Sequence, residues 1–230
     1  MNTNTIVKHT ENNEVEITFD NNGVKKSKKI SLSDYVSALN ASVKKEKILT
    51  TECSFSCIYP TWKHIHTVQH IKCADQKEIF IVLRDNKPID ILYESTQFRN
   101  IGVPNLLFAI CVFKGVLQWI KAAAVDIPYI SEETRLYYYP FAHIASPESR
   151  ACLGGNRLAN KEFKLTSSMI YKIPDKFLSM PNGNDYYNNV NQSQLAMRPL
   201  LEALSNNGFP KEWLKKYDKN YSAWVKEIIE

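Results

Sequence analysis

An unbroken apolar run, Leu106-Leu-Phe-Ala-Ile-Cys-Val-Phe113, limits the folds open to this chain more than any other feature. At eight residues it is too short to cross a bilayer, which takes roughly twenty residues as a helix. The run therefore reads as a buried strand. Lys114-Gly115 is a compact turn signal, and Val116 to Ala124 reads as the returning strand of an antiparallel hairpin. Beyond a loop at Pro128 and Ser131-Glu132-Glu133, Leu136 to Tyr139 forms a third strand closed by Pro140. Sequential strands with short loops predict a meander.

Upstream, Glu14 to Phe19 alternates polar and apolar residues, the period of a half-buried strand, and Asn21-Asn22-Gly23 is a turn. Leu32, Tyr35, Val36 and Leu39 have helical spacing behind Ser31 or Ser33 as N-cap. Strand-like segments follow at 51–59, 65–73, 78–84 and 88–93. Downstream, residues 182–191 are rich in Asn, Gly and Tyr, and a mobile loop is expected there. Leu195, Leu200, Leu201 and Leu204 mark a helix ending at Asn207-Gly208, with Pro199 at its start or at a kink. Pro210 is expected to open a final helix with Trp213, Tyr217, Tyr221, Trp224 and Ile228 on one face. The expected class is α+β. An antiparallel β-meander flanked by C-terminal helices occupies 96–230, behind a β-rich N-terminal extension with one helix over 1–95.

A hydrophobic content of 44% is enough to bury a core and excludes a disordered chain. The net charge of +5 is mild, and the lysine clusters (Lys25, Lys26, Lys28 and Lys29; Lys211, Lys215 and Lys216) lack an Arg stripe with interleaved aromatics. Nucleic acid is therefore not an expected partner, and neither is a membrane. Met1 to Asn13 is polar, without the apolar centre of an export signal. The expected location is cytoplasmic, where Cys53, Cys57, Cys73, Cys111 and Cys152 are reduced.

Chemistry concentrates in Tyr139-Pro-Phe-Ala-His-Ile-Ala-Ser-Pro-Glu-Ser-Arg-Ala-Cys-Leu-Gly-Gly155. A strand ends at a proline, His143 follows, and a short loop through Pro147 returns the chain to Cys152. Gly154 and Gly155 allow another backbone to approach the sulfur. A nearby His lowers a thiol pKa or donates a hydrogen bond. The pattern is that of a nucleophile with a neighbouring donor. Cys111, inside the apolar run, reads as core, and a lone Cys is ordinarily a small buried hydrophobe.

The order of these pieces resembles the ubiquitin-conjugating (UBC-like) fold, and more closely the prokaryotic ubiquitin-conjugating family D, the PRTRC system protein B-like proteins. The matching residues are Pro104-Asn-Leu-Leu-Phe108, Leu117-Gln-Trp-Ile-Lys-Ala122, Pro128 to Thr134 with Leu136, Pro140-Phe-Ala-His-Ile144, and Cys152-Leu-Gly154. The resemblance spans roughly residues 95–180 and makes 96–230 a UBC-like catalytic domain. It implies that Cys152 accepts a ubiquitin-like protein as a thioester from an activating enzyme and passes it to an amine target. A JAB-type isopeptidase is an implied companion, and no cofactor or metal is implied at the site. His143 stands where the family has an Asn that supports the oxyanion of transfer.

Two other readings stay open. A UBC-like module can bind its partner without forming a thioester. Alternatively Cys53, Cys57, His64, His66, His70 and Cys73 supply nitrogen and sulfur ligands of the kind that hold zinc, although the spacing matches no standard ligand set. His64, His66 and His70 share parity and are expected to face one way on a strand.

Overall fold

In the computed structural model, which describes residues 3–10, 14–21, 24–42, 54–56, 63–146, 148–153, 165 and 167–230, the chain divides into two units between Thr51 and Glu52. The first holds β1 (Thr3–His9), β2 (Glu14–Asn21) and β3 (Val24–Ser31) in one antiparallel sheet, followed by α1 (Leu32–Ser42). β2 and α1 lie where periodicity places them. Ser31 caps α1, its Oγ accepting from the Asp34 N–H at 3.0 Å. β1 and β3 were not expected. β3 carries four lysines and no alternation, so pairing defines it: Lys29 stands opposite Glu16, and Thr18 and Ser27 hydroxyls are hydrogen-bonded at 2.8 Å.

The second unit is built on β4 (Ser54–Ser56), β5 (Ile65–Lys72), β6 (Lys77–Arg84), β9 (Asn105–Phe113) and β10 (Val116–Val125), adjacent in that order and antiparallel. Beyond β10 the sheet forks. One arm is β13 (Arg150–Ala151) and β12 (Ile144–Ala145). The other is β11 (Arg135–Tyr138) and β14 (Lys216–Asn220). β7 (Ile89–Tyr93) and β8 (Thr96–Ile101) form a separate hairpin. The helices are α2 (Ser167–Ile170), α3 (Ile173–Leu178), α4 (Met197–Leu204) and α5 (Tyr221–Ile229).

The apolar run becomes β9, and both its faces are covered, which is why it lacks alternation. Leu106, Phe108, Ile110 and Val112 face a core completed by the β7–β8 hairpin, α3 and α4. Leu107, Ala109 and Cys111 face a second core under α5, with Trp224 fully buried in it. β9, β10 and β11 form the expected meander. The fold is mixed α+β with mainly antiparallel strands. Among the described residues no helix is long and apolar enough to cross a membrane.

Four expectations are corrected. The division lies at 51/52 rather than 95/96, because β6 pairs with β9 from Lys77↔Phe113 to Arg84↔Leu106 and binds β5 and β6, residues 65–84, into the same sheet as the meander. The single final helix is instead a 3-10 turn (Lys211–Trp213), β14 and α5. Pairing to the free side of β11 draws Lys216–Asn220 out straight, and Asn220 then caps α5 by accepting from the Ala223 N–H at 2.9 Å. The Asn-rich segment is tied down rather than loose. The buried Asn182 donates to the Met180 carbonyl at 2.7 Å, and the buried Asn191 donates to the Pro140 carbonyl at 2.9 Å. Fourth, a bulge at Val68 breaks the parity of the β5 histidines. His66 stands opposite Leu83 and His70 opposite Phe80, so they face opposite sides of the sheet. Of the expected strand at 51–59, the described part is β4.

Candidate functional site around Cys152

The site hangs from the first core by Phe141 and Ala142, both fully buried. The chain then enters the β12–β13 hairpin, with Ile144 opposite Ala151 and Ala145 opposite Arg150. The hairpin docks on β10, where Lys121 stands opposite Arg150 and the Ala122 N–H donates to the Ser149 carbonyl at 2.9 Å. One step beyond Ile144 and Ala151, the Cys152 N–H donates to the His143 carbonyl at 2.8 Å. The two residues singled out from the sequence are thus neighbours across a hairpin mouth. The local sequence favours this because Ile144 buries one strand while polar residues make the turn.

His143 is pinned from three sides. Its carbonyl holds Cys152, its N–H donates to the Asp185 carbonyl at 2.8 Å, and its Nε2 lies 3.0 Å from the Pro181 carbonyl. A carbonyl only accepts, so Nε2 carries the proton and Nδ1 of the neutral ring is an acceptor. Its φ is +70°, in the left-handed region where Asn and His are over-represented. Ser149, in the hairpin loop, has φ +55° and donates its hydroxyl to the Tyr217 hydroxyl at 3.2 Å. Glu148, in the same loop, is exposed. Pro147, Gly154 and Gly155 lie outside the described residues.

Of the three cysteines described, Cys73 and Cys111 are buried and Cys152 is half-buried. Burial pushes the Cys111 thiol up to about 12, which keeps it protonated and unreactive at neutral pH. Cys53 and Cys57 lie outside the described residues.

His64, just ahead of β5, and His66 and His70 within it do not converge. His64 bonds Asp175 at 3.1 Å, His66 bonds Asp85 at 3.0 Å, and His70 bonds Glu78 at 2.7 Å. Among the described residues no group of three or more metal-ligating side chains forms. Sequence reasoning passed over the buried Arg84, whose Nε donates to Asp175 at 2.7 Å and clamps α3 onto β6. A lone arginine ending the apolar run Ile79 to Leu83 is the signal for it. It also passed over a cleft of about 410 Å3 formed by residues 184–197, whose sign is the density of Asn.

No protein-family model, curated protein or solved structure matches this chain.

Proposed function

We propose that Cys152 accepts a ubiquitin-like protein as a thioester from an activating enzyme and passes it to an amine target, on a UBC-like core, in a bacterial cytoplasmic conjugation pathway that includes a JAB-type isopeptidase. The observation that carries this reading is the position of Cys152. It is the one described cysteine left half-open, it sits at the mouth of a hairpin anchored in the sheet, and it is backbone-bonded to His143.

In loading, the Cys152 thiolate attacks the carbonyl of the activating enzyme's thioester. A new C–S bond forms, the old one breaks, and the activating enzyme's thiolate leaves. In transfer an amine attacks, the Cys152 thiolate leaves, and the amine gives up a proton. Each step passes through an oxyanion, and losing one donor to it typically slows reaction by about 10²–10³. His143 Nε2–H is committed to the Pro181 carbonyl. Donation to the oxyanion therefore runs through Nδ1 and requires the protonated ring. Glu148 is a candidate base for the amine.

That commitment favours a second reading, a UBC-like module that binds its partner without transfer. Incubation with the cognate activating enzyme, ATP and the ubiquitin-like protein, followed by a nonreducing gel, separates the two. The acyl-carrier reading expects a thiol-sensitive adduct that is absent in Cys152→Ala and trapped as an oxyester in Cys152→Ser. An adduct persisting in Cys152→Ala sinks it, and the absence of any adduct leaves the binding module.

A further inference from the structure

β3 is an outer strand: in the order β1-β2-β3 it pairs only with β2 among the described residues. Its other side presents a row of main-chain N–H and C=O groups, a template for one more strand. Residues 25–29 along this row are all exposed. The row is charged in one sign, because Val24-Lys-Lys-Ser-Lys-Lys-Ile30 holds four lysines and no acid. Strand geometry divides the lysines between the two faces of the sheet. Lys25 stands opposite Asp20 and Lys29 opposite Glu16, so β2 gives those two acidic neighbours. Lys26 stands opposite Phe19 and Lys28 opposite Ile17. No acidic residue of the sheet shares their face, where Phe19 and Val7 are 46% and 44% exposed. Neither Lys26 nor Lys28 forms an ion pair among the described residues.

Such an edge rejects copies of itself. Antiparallel pairing of two β3 strands about Ser27 sets Lys26 opposite Lys28 and Lys25 opposite Lys29, and like charges directly opposite destabilise a sheet. An acidic strand meets the reverse condition. Residues two apart on a strand lie about 6.7 Å apart, so carboxylates at alternate positions of an added strand come level with Lys26 and Lys28. The segment has one chemical order from either end: apolar, two lysines, Ser27, two lysines, apolar. Its complement is apolar, two acids, any residue, two acids, apolar, in either chain direction. Main-chain pairing supplies the affinity of such an addition, and alternate side chains supply its selectivity. A lipid surface or a nucleic acid brings negative charge but no main chain in register with the edge.

We propose that β3 recruits an acidic, extended peptide segment of a partner protein, which adds as a fourth strand beside residues 25–29. This docking site belongs to the first unit and does not depend on chemistry at Cys152.

Full-length protein is titrated into fluorescein-labelled Val-Glu-Glu-Thr-Glu-Glu-Val amide and read by fluorescence anisotropy. The control peptide, Val-Glu-Glu-Pro-Pro-Glu-Glu-Val amide, has the same charge but lacks an N–H on one residue of each parity. The first peptide is expected to bind about tenfold tighter than the control, the worth of one or two hydrogen bonds. Lys26→Glu with Lys28→Glu is expected to weaken it by about tenfold. Lys216→Glu with Lys226→Glu makes the same change of net charge on exposed lysines of the second unit, and is expected to shift affinity by less than about twofold at physiological salt. Amide hydrogen exchange reads the contact without any substitution: the acidic peptide is expected to protect residues 24–31. Equal affinity for the two peptides, binding that survives the β3 double variant, or protection confined to other segments overturns the proposal. Tighter binding of oligothymidylate or of phosphatidylserine vesicles overturns it in favour of nucleic acid or membrane. Absence of peptide binding also overturns it, and leaves the lysines as a guard against self-association.

Discussion

His143 keeps φ at +70° in a buried position, and this conformation sets what can replace it. Asn adopts it readily, whereas a β-branched residue there is an outlier. His143→Asn is expected to cost about 1 kcal/mol, the worth of the bond to the Pro181 carbonyl. His143→Val is expected to cost about 1–3 kcal/mol more, from backbone strain. Urea unfolding of the two variants measures the difference, and equal midpoints would refute the strain argument. Cys152 should alkylate ahead of Cys73 and Cys111, because the other two are buried and Cys111 is held protonated. Peptide mapping after brief iodoacetamide treatment reads the order. Comparable labelling of Cys111 and Cys152 would show that the hairpin mouth does not open the sulfur.

At the scale of elements, α3 reaches β6 through a charge. Arg84 is 1% exposed and gives its Nε to Asp175, while its Nη1 donates to the Asp85 and Lys87 carbonyls at 2.9 and 2.8 Å. Removing Asp175 strands a buried guanidinium, whereas removing Arg84 leaves a carboxylate that water can reach. Asp175→Ala is therefore expected to cost about 2 kcal/mol and more than Arg84→Met, with the full buried-pair penalty discounted for the exposed carboxylate. Burial pushes the Asp175 carboxyl up, but the bonds from Arg84 and His64 outweigh it and hold the group below its ordinary 3.8. Its folded form is the stronger acid, so its stabilisation is present above 3.8 and is lost as pH falls through the lower folded value. Asp175→Asn should flatten that limb of a stability–pH curve. Between β8 and α4 the constraint is steric. A Cβ on Gly102 would lie 1.9 Å from the Asn207 carbonyl oxygen, so Gly102→Ala must move backbone. A destabilisation of about 1–3 kcal/mol is expected in thermal melts.

For the whole molecule, both hydrophobic cores lie within residues 65–228, and the division falls at 51/52. A chain of residues 52–230 should therefore fold cooperatively and keep the buried-tryptophan emission of Trp224. A fragment with the emission of solvent-exposed tryptophan would show that the first unit is needed for the core. Acid should weaken the fold in two stages. Burial lowers the pKa of His70, partly offset by its bond to Glu78, so the unfolded chain takes up this proton first as pH drops below 6.5. The depressed carboxyls of Asp126, Asp175 and Glu227 contribute stability above their ordinary values of 3.8, 3.8 and 4.5, and lose it below them. A melting temperature that stays flat between pH 6.5 and 5.5 would contradict the first stage.

The amino-acid order by itself determined the elements whose pattern is local. β2 alternates, α1 has its cap and its spacing, and β9 is an apolar run of strand length closed by a glycine turn. It also placed Cys152 and His143 around a proline loop. Tertiary structure decided everything that depends on a distant partner. Pairing with β11 made a strand of Lys216–Asn220, where helical spacing of Tyr217 and Tyr221 pointed elsewhere. Pairing with β2 made one of the lysine-rich β3. One inserted residue at Val68 turned His66 and His70 to opposite faces, and a bulge has no mark in composition. The same holds at the site. Sequence proximity brought His143 near Cys152, but the Pro181 carbonyl, 38 residues along the chain, decided which ring nitrogen carries the proton. Hydrogen bonds and burial between remote residues outweigh local propensities of a few tenths of a kcal/mol per residue, so they decide wherever the two disagree.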